Sequence, residues 1–246
     1  MAVQHEIKSQ LAKLLATEDL IVEHRKVETA CFNVHTRVLT LPMWERASGT
    51  VYDLLVGHEV GHALFTPDEN WIKYKKIPPQ FVNVVEDARI EKLMKRKYPG
   101  LAKTFYRGYK ELNDEDFFSI SDESVADFNL ADRANLYFKI GNFLDLSFTE
   151  EEMAIIRMIG GCEDFDDVLL AAEVLYKYCK KQQEKPKQEM PPMSNEGNAP
   201  GDVDETESGE SQETETDSIP TGEQSEDDDI EVQTAEALSE NLKDLV

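Results

Sequence analysis

Thr50-Val51-Tyr52-Asp53-Leu54-Leu55-Val56-Gly57-His58-Glu59-Val60-Gly61-His62-Ala63-Leu64-Phe65-Thr66-Pro67 is the stretch on which the reading of this chain turns. Val51, Leu54, Leu55, His58, His62 and Phe65 recur at the spacing of one helix face. The residue before a proline avoids the helical region, so Thr66-Pro67 ends the helix. Histidines four apart stand one turn above the other, and their rings can converge on a single ion. Glu59 follows the first histidine directly, where a carboxylate reaches an ion-bound water and acts as general base. Zinc hydrolysis asks for two imidazoles, a third ligand, an open position and such a carboxylate. His58 and His62 are therefore the candidate zinc ligands, and Glu59 the candidate general base. Gly57 and Gly61 cost a helix about 1 kcal/mol each relative to alanine. They imply close approach of another backbone or of substrate, or simply close helix packing.

The third ligand is expected downstream. Val82–Glu91 is an apolar run interrupted by Glu86 and Asp87, within a helix expected from about Gln80 to Lys97 between Pro78-Pro79 and Tyr98-Pro99-Gly100. The basic last turn of that helix (Lys92, Lys95, Arg96, Lys97) complements the helix dipole. Glu86, 24 residues after His62, is the expected third ligand. Asp87 or Glu91 is the alternative ligand, or the group that orients a histidine ring. The competing reading pairs these acids with Arg89 or the basic turn on a solvated face.

Residues 30–42 bring in β-branched and aromatic residues with partial alternation. They are expected to form a hairpin or pair of short strands, turning near Asn33–Thr36 and stopped by Pro42. Val34–Leu41 is the candidate edge to which an extended peptide would add. Residues 5–18, with Ile7, Leu11, Leu14 and Leu15, read as an amphipathic first helix. Residues 101–181 read as three or four helices with apolar stripes over 130–143, 153–159 and 168–178, and with caps at Asp122–Ser124 and Ser147–Thr149. Tyr98, Tyr106, Tyr109 and Tyr137 are the candidate oxyanion stabilisers. The fold class expected for residues 1–181 is α+β and mainly helical: a small N-terminal β-sheet or hairpin, a helix carrying the histidines, and a C-terminal helical part.

The formal net charge is −24, but it is unevenly spread. Residues 182–246 hold 20 of the 50 acidic residues and 3 of the 26 basic ones, so the acidity belongs to the tail. No basic footprint for phosphate backbones is present, which excludes a general nucleic-acid binder. Residues 182–229, rich in Pro, Gly, Ser, Thr, Gln, Asp and Glu, lack the apolar area to offset chain entropy and are expected to be a disordered acidic linker. Residues 230–246 regain a stripe (Val232, Ala235, Leu238, Leu242, Leu245), expected as a short helix that docks a partner, continues into a further element, or has no role. Three cysteines without a CxxC pair suggest neither a thiolate zinc site nor a disulfide framework. No signal-peptide pattern opens the chain, and no apolar run approaches the ~20 residues of a membrane span. A cytoplasmic protein without membrane or nucleic-acid partners is the expectation.

The strand segment, His58-Glu59-Val60-Gly61-His62-Ala63-Leu64-Phe65-Thr66, Asn83–Glu91 and Leu130–Lys139 together resemble zincin-like metallopeptidases of the gluzincin type. The likeness is strongest to the amino-terminal region of cobaltochelatase-T-like proteins and similar peptidases of tailed bacteriophages, over about residues 30–145. It implies a glutamate-zincin fold, zinc as cofactor, the ligands His58, His62 and Glu86, and the host cytoplasm if the chain is viral. The chain departs from that pattern twice. Such proteins often continue through an acidic linker into a von Willebrand A domain, whose metal site needs Asp-x-Ser-x-Ser, a stretch this sequence lacks. Many gluzincins also carry Glu-x-x-x-Asp on the third-ligand helix, whereas Glu86 is followed four residues on by Ile90. The activity implied is hydrolysis of a protein or peptide substrate by metal-activated water, with Glu59 as base. The alternative is a non-catalytic zinc-stabilised scaffold or adaptor whose acidic tail binds a partner, such as a von Willebrand A domain, an ATPase or a phage assembly component. Glu59 separates the two, because a structural zinc site has no need of it.

Overall fold

The Ser48 side chain accepts the Val51 N–H at 3.1 Å and so starts the central helix, α2, which runs Gly49–Phe65 and closes with the Thr66 N–H on the His62 carbonyl. A capping serine of this kind satisfies one of the donors that a helix start leaves open. The computed structural model describes residues 5–16, 21–27, 30–33, 36–67, 77–184 and 230–246. Ahead of α2 lie α1 (His5–Ala16), β1 (Ile21–Arg25), β2 (Cys31–Asn33) and β3 (Val38–Pro42). After it come α3 (Pro79–Lys97), α4 (Leu101–Asp114), α5 (Leu130–Ile140), α6 (Glu150–Gly161), α7 (Phe165–Gln183) and α8 (Gln233–Lys243). The fold is mainly helical with one small three-stranded sheet, as the sequence leads one to expect. Among the described residues no helix is long and apolar enough to cross a membrane.

The sheet has the order β1-β3-β2. β2 and β3 form the expected antiparallel hairpin, with Cys31 opposite Thr40 and Asn33 opposite Val38, although residues 34–35 of its turn lie outside the described residues. β1 is an addition: it pairs in parallel with β3 from Ile21↔Val38 to Arg25↔Pro42. The expected substrate edge at 34–41 is thereby corrected. β3 is the middle strand with both sides paired, so it has no free hydrogen-bonding edge to offer; β1 and β2 are the outer strands. Leu39 and Leu41 point into the core, where they are fully buried. On α1 the inward face is Ala12, Leu15 and Ala16, while Leu14 stands 75% exposed, off the stripe read from the sequence.

The interior divides into two apolar clusters. One holds α1, the sheet, α2 and α4, with Leu54, Val56, Val60 and Phe105 at its centre. The other holds the first half of α3 with α5, α6 and α7, around Phe81, Val85, Ala131 and Leu175. α3 belongs to both, since Phe81–Val85 lie in the second cluster and Met94 in the first. Glu86, Asp87 and Glu91 fall at the seam. The glycines of α2 are explained by side chains of the crossing helices rather than by a backbone or a ligand. A Cβ at Gly57 would sit 3.1 Å from the Phe105 ring, and one at Gly61 3.1 Å from Met94 and 3.2 Å from Ile90. Gly108 on α4 is tighter still, 2.8 Å from Leu54.

Thr149 caps α6 in a reciprocal box with Glu152, as expected, and Asp164 does the same for α7 with Asp167. The cap expected at Asp122–Ser124 starts only a single turn at Val125–Asp127; Asn129 caps α5 instead. Cys162 and Cys179 are buried free thiols, each pushed up to about 11 by burial, which makes them poor nucleophiles. The expected linker lies, from residue 185 on, outside the described residues. The stripe at 230–246 forms α8 and packs on this same domain. Thr234 donates its N–H and hydroxyl to Asp132 Oδ1 at 2.7 and 2.8 Å and accepts from the Asn135 amide at 3.0 Å. Ile230 and Val232 enter the second cluster, while Leu245 enters the first. The packed unit therefore extends beyond residues 1–181 to include 230–246.

The α2–α4 contact makes a direct prediction. Gly108→Val places a branched side chain against Leu54 where little room exists, and overpacking of this kind costs about 1–3 kcal/mol. Urea unfolding of the variant should show a lowered midpoint at unchanged slope.

Candidate functional site

α2 carries His58, Glu59 and His62, and α3 crosses it with Glu86, Asp87 and Glu91. Both imidazoles have one nitrogen tied off. His58 Nδ1 lies 3.2 Å from Glu91 Oε1, and His62 Nδ1 lies 3.0 Å from Thr66 Oγ1. Thr66 gives its only hydroxyl proton to Glu86 Oε1 at 2.5 Å, so toward His62 it accepts. Each Nδ1 is thus a donor, and a ring in its neutral form then has its Nε2 lone pair free for a proton or a cation. The two Nε2 atoms face each other at 3.2 Å, with Asp87 Oδ1 at 3.6 Å from that of His58 and 3.3 Å from that of His62. Three acceptors converging on one point repel unless a proton or cation stands among them.

The electrostatics of the surroundings agree. Burial would lower His62, but Asp87 first and then Glu59 and Glu86 outweigh it and raise the imidazole above its usual value. Burial would raise Asp87, but Lys139, His58 and His62 outweigh it and hold its carboxyl far below the usual range. Glu91 comes down to about 2 against its own burial, through Lys139, His58 and Lys95. Lys139, from α5, is the enclosed cation behind the cluster. Its Nζ lies 2.9 Å from Asp87 Oδ2, 3.2 Å from the Tyr109 hydroxyl and 3.6 Å from Glu91 Oε1. Burial would lower this ammonium, yet Asp87, Tyr109 and Glu91 more than compensate and keep it charged. The Tyr109 hydroxyl donates to Glu91, and burial, then Glu91, pushes its phenol up.

Glu86 is not where the sequence reading put it. Its Oε2 accepts from Arg89 Nε at 2.7 Å and its Oε1 from the Arg89 guanidinium at 2.7 Å and from Thr66. Arg89 in turn donates to the Phe65 carbonyl at 2.8 Å. The pair is buried rather than solvated, at 3% exposure for each residue. One residue further along α3, a rotation of about 100°, Asp87 meets the histidines instead. Asp87 Oδ1 thus lies at the imidazoles, and Glu91 Oε1 at the far nitrogen of the His58 ring.

His58, His62 and Asp87 could hold a metal ion, their ligand atoms all within 4.8 Å of one another. Ligands about 2.0–2.1 Å from a tetrahedral zinc lie ~3.3–3.4 Å apart, so the separations of 3.2, 3.3 and 3.6 Å fit that group. Beside them opens a cavity of about 220 Å³, reached by His58, Glu59, Asp87, Tyr109 and Lys139. Of the four tyrosines considered, Tyr109 alone lines this cavity, and its proton is engaged by Glu91. The Tyr98 hydroxyl donates to the Leu15 carbonyl, while Tyr106 and Tyr137 are exposed and set their rings at an angle to those of Phe143 and Phe148.

Thr66 and Lys139 escaped the sequence reading as members of the site. Arg89 was read as a partner for the acids, and it does pair with Glu86, though in the interior rather than on a solvated face. Comparison of the chain with protein-family models, with curated proteins and with solved structures finds no match.

Removing the enclosed ammonium leaves the buried Glu91 and the partly buried Asp87 with only Lys95 and the histidines as partners, and breaking a buried ion pair typically costs about 3–5 kcal/mol. Lys139→Met should lose that much in denaturant unfolding. The pH dependence follows with its sign. Glu91 holds its charge to about pH 2 in the fold, against an unfolded pKa of about 4.3. The stabilisation is complete above that unfolded value and is lost as pH falls toward the folded one. Melting temperature should therefore decline in the wild type from about pH 5 downward, and decline less, or rise, in Lys139→Met.

Proposed function

We propose that this chain is a zinc-dependent, zincin-like peptidase in which His58, His62 and Asp87 hold the metal and Glu59 is the general base. The observation that carries the reading is the pair of Nε2 atoms turned with Asp87 Oδ1 on one point, both Nδ1 atoms being engaged behind them. Zinc, when bound, brings the pKa of a coordinated water toward 7 and polarises a carbonyl. The protein's own groups supply the rest. Glu91 and Thr66 fix the tautomer and the orientation of the two rings. Lys139 occupies Oδ2 of Asp87, leaving Oδ1 as the oxygen turned to the imidazoles. Glu59 lines the cavity beside His58, where its carboxylate takes a proton from water and returns it to the departing amine. Three protein ligands leave a fourth position for water or substrate, which favours hydrolysis over a structural zinc site.

The interval along α3 adds support from the resemblance to gluzincins. Asp87 and Glu91 repeat the arrangement of a carboxylate ligand followed four residues on by a carboxylate that orients a histidine, with the two acid types exchanged.

Metal analysis by mass spectrometry tests the reading. Wild type should carry about one zinc per chain, lost in His58→Ala and in Asp87→Ala. Glu86→Ala should weaken affinity by roughly 10–100-fold through Thr66 and His62. Glu59→Gln should keep its zinc and lose roughly 10²–10⁴ in peptide hydrolysis. Zinc kept in Asp87→Ala but lost in Glu86→Ala would return the third ligand to Glu86. Zinc without hydrolysis in the wild type would favour the scaffold, and no zinc after reconstitution would overturn the reading.

A further inference from the structure

The cavity that His58 and Glu59 line has a second, apolar character. Trp44, Leu54, Leu55 and Leu112 line it together with Leu238 and Leu242 of α8. At about 220 Å³ it far exceeds the ~10–15 Å³ that a single water requires. The ionisable groups of its lining are His58, Glu59, Asp87, Tyr109 and Lys139, the cluster already described. Along the apolar walls a charged or amide side chain would lose its hydration with nothing in return, whereas an apolar group would gain from burial.

The wall that α8 contributes is held at both ends. Thr234 is fixed to the buried Asp132 at the start of the helix. At its far end Asn241 donates to the Phe117 carbonyl at 3.0 Å, and Arg46 donates to the Asp244 carbonyl at 3.1 Å. Leu238 and Leu242 nevertheless remain only half-buried between these anchors. A helix fixed in this way, with two leucines bordering open space, has the properties of a pocket wall rather than of a plug.

We propose that this cavity is a substrate subsite for a large apolar side chain, and that Leu238 and Leu242 of α8 set its size. The proposal rests on the peptidase reading, for which it names the substrate class: peptides with a leucine-like or larger apolar residue next to the scissile bond. Glu59 and His58 then meet the adjoining carbonyl while the side chain lies against the leucines. Each methylene in such a pocket discriminates by roughly 10-fold or more, so leucine should be strongly preferred over glycine.

The test uses the full chain loaded with zinc and two metal-binding probes, N-acetyl-leucine hydroxamate and acetohydroxamate, measured by calorimetry. The leucine probe should bind at least 10-fold tighter to wild type. Leu238→Trp, which fills the cavity, should abolish that preference while leaving zinc content and acetohydroxamate binding unchanged. Leu242→Ala, which enlarges it, should reduce the preference. Equal binding of both probes to wild type, or a leucine preference that survives both substitutions, would overturn the subsite and leave the zinc reading standing. Failure of both probes to bind the zinc-loaded protein would remove the open coordination position, and with it the peptidase reading.

Discussion

The ammonium of Lys139 is the charge on which the interior of this protein depends. Asp87 and Glu91 lie one helical turn apart, Glu91 buried and Asp87 partly so, and two such carboxylates repel each other unless a cation joins them. Lys139 reaches both from α5, and Tyr109 of α4 bridges the lysine and Glu91. Through His58, Glu91 ties the same group to α2. Four helices thereby meet at one set of hydrogen bonds whose members have few alternatives. Apolar packing alone would tolerate some sliding of α2 over α3, whereas this network accepts only one crossing.

The location of the network follows from the division of the core. α3 gives its first half to one apolar cluster and Met94 to the other, and its acids fall between. Polar groups at a seam can be enclosed by side chains of both clusters yet still reach a cavity. The Glu86–Arg89 pair closes the seam on the opposite side. Arg89 binds the last carbonyl of α2 at Phe65, and Glu86 receives the hydroxyl of Thr66 just beyond. The end of α2 is thus locked to α3 by the residue that first looked like a metal ligand. Its contribution to His62 is indirect, passed through one hydroxyl.

Much of α2 was legible in the sequence because its signals are local. Thr66-Pro67 marks its end, and the histidine spacing is fixed by the helical repeat. The choice between Glu86 and Asp87 was not local. Adjacent residues on a helix differ by about 100° in direction, and which of them faces α2 depends on a crossing that no periodicity encodes. β1 was hidden for another reason: Ile21-Val22-Glu23-His24-Arg25 has almost no apolar alternation, with Ile21 53% exposed, and the strand exists by pairing with β3. Lys139 was unreadable because a basic residue in the last turn of a helix usually serves the dipole at the surface. The stripe on α8 was plain, but its destination was not, since its partners lie on α3, α5 and the segment around Arg46.

The wall that α8 lends to the cavity sits beyond residues 185–229, and this separation frees one part of the chain from another. The entropy of closing a connection grows slowly, by only about 0.6 kcal/mol per doubling of its length. Insertions, deletions and changes of composition between α7 and α8 can therefore accumulate over generations at little cost to docking. Residues 230–246 have no such freedom, because Thr234, Leu238 and Leu242 answer to Asp132 and to the shape of the cavity. The pocket is thus assembled from two pieces of chain under unequal constraint.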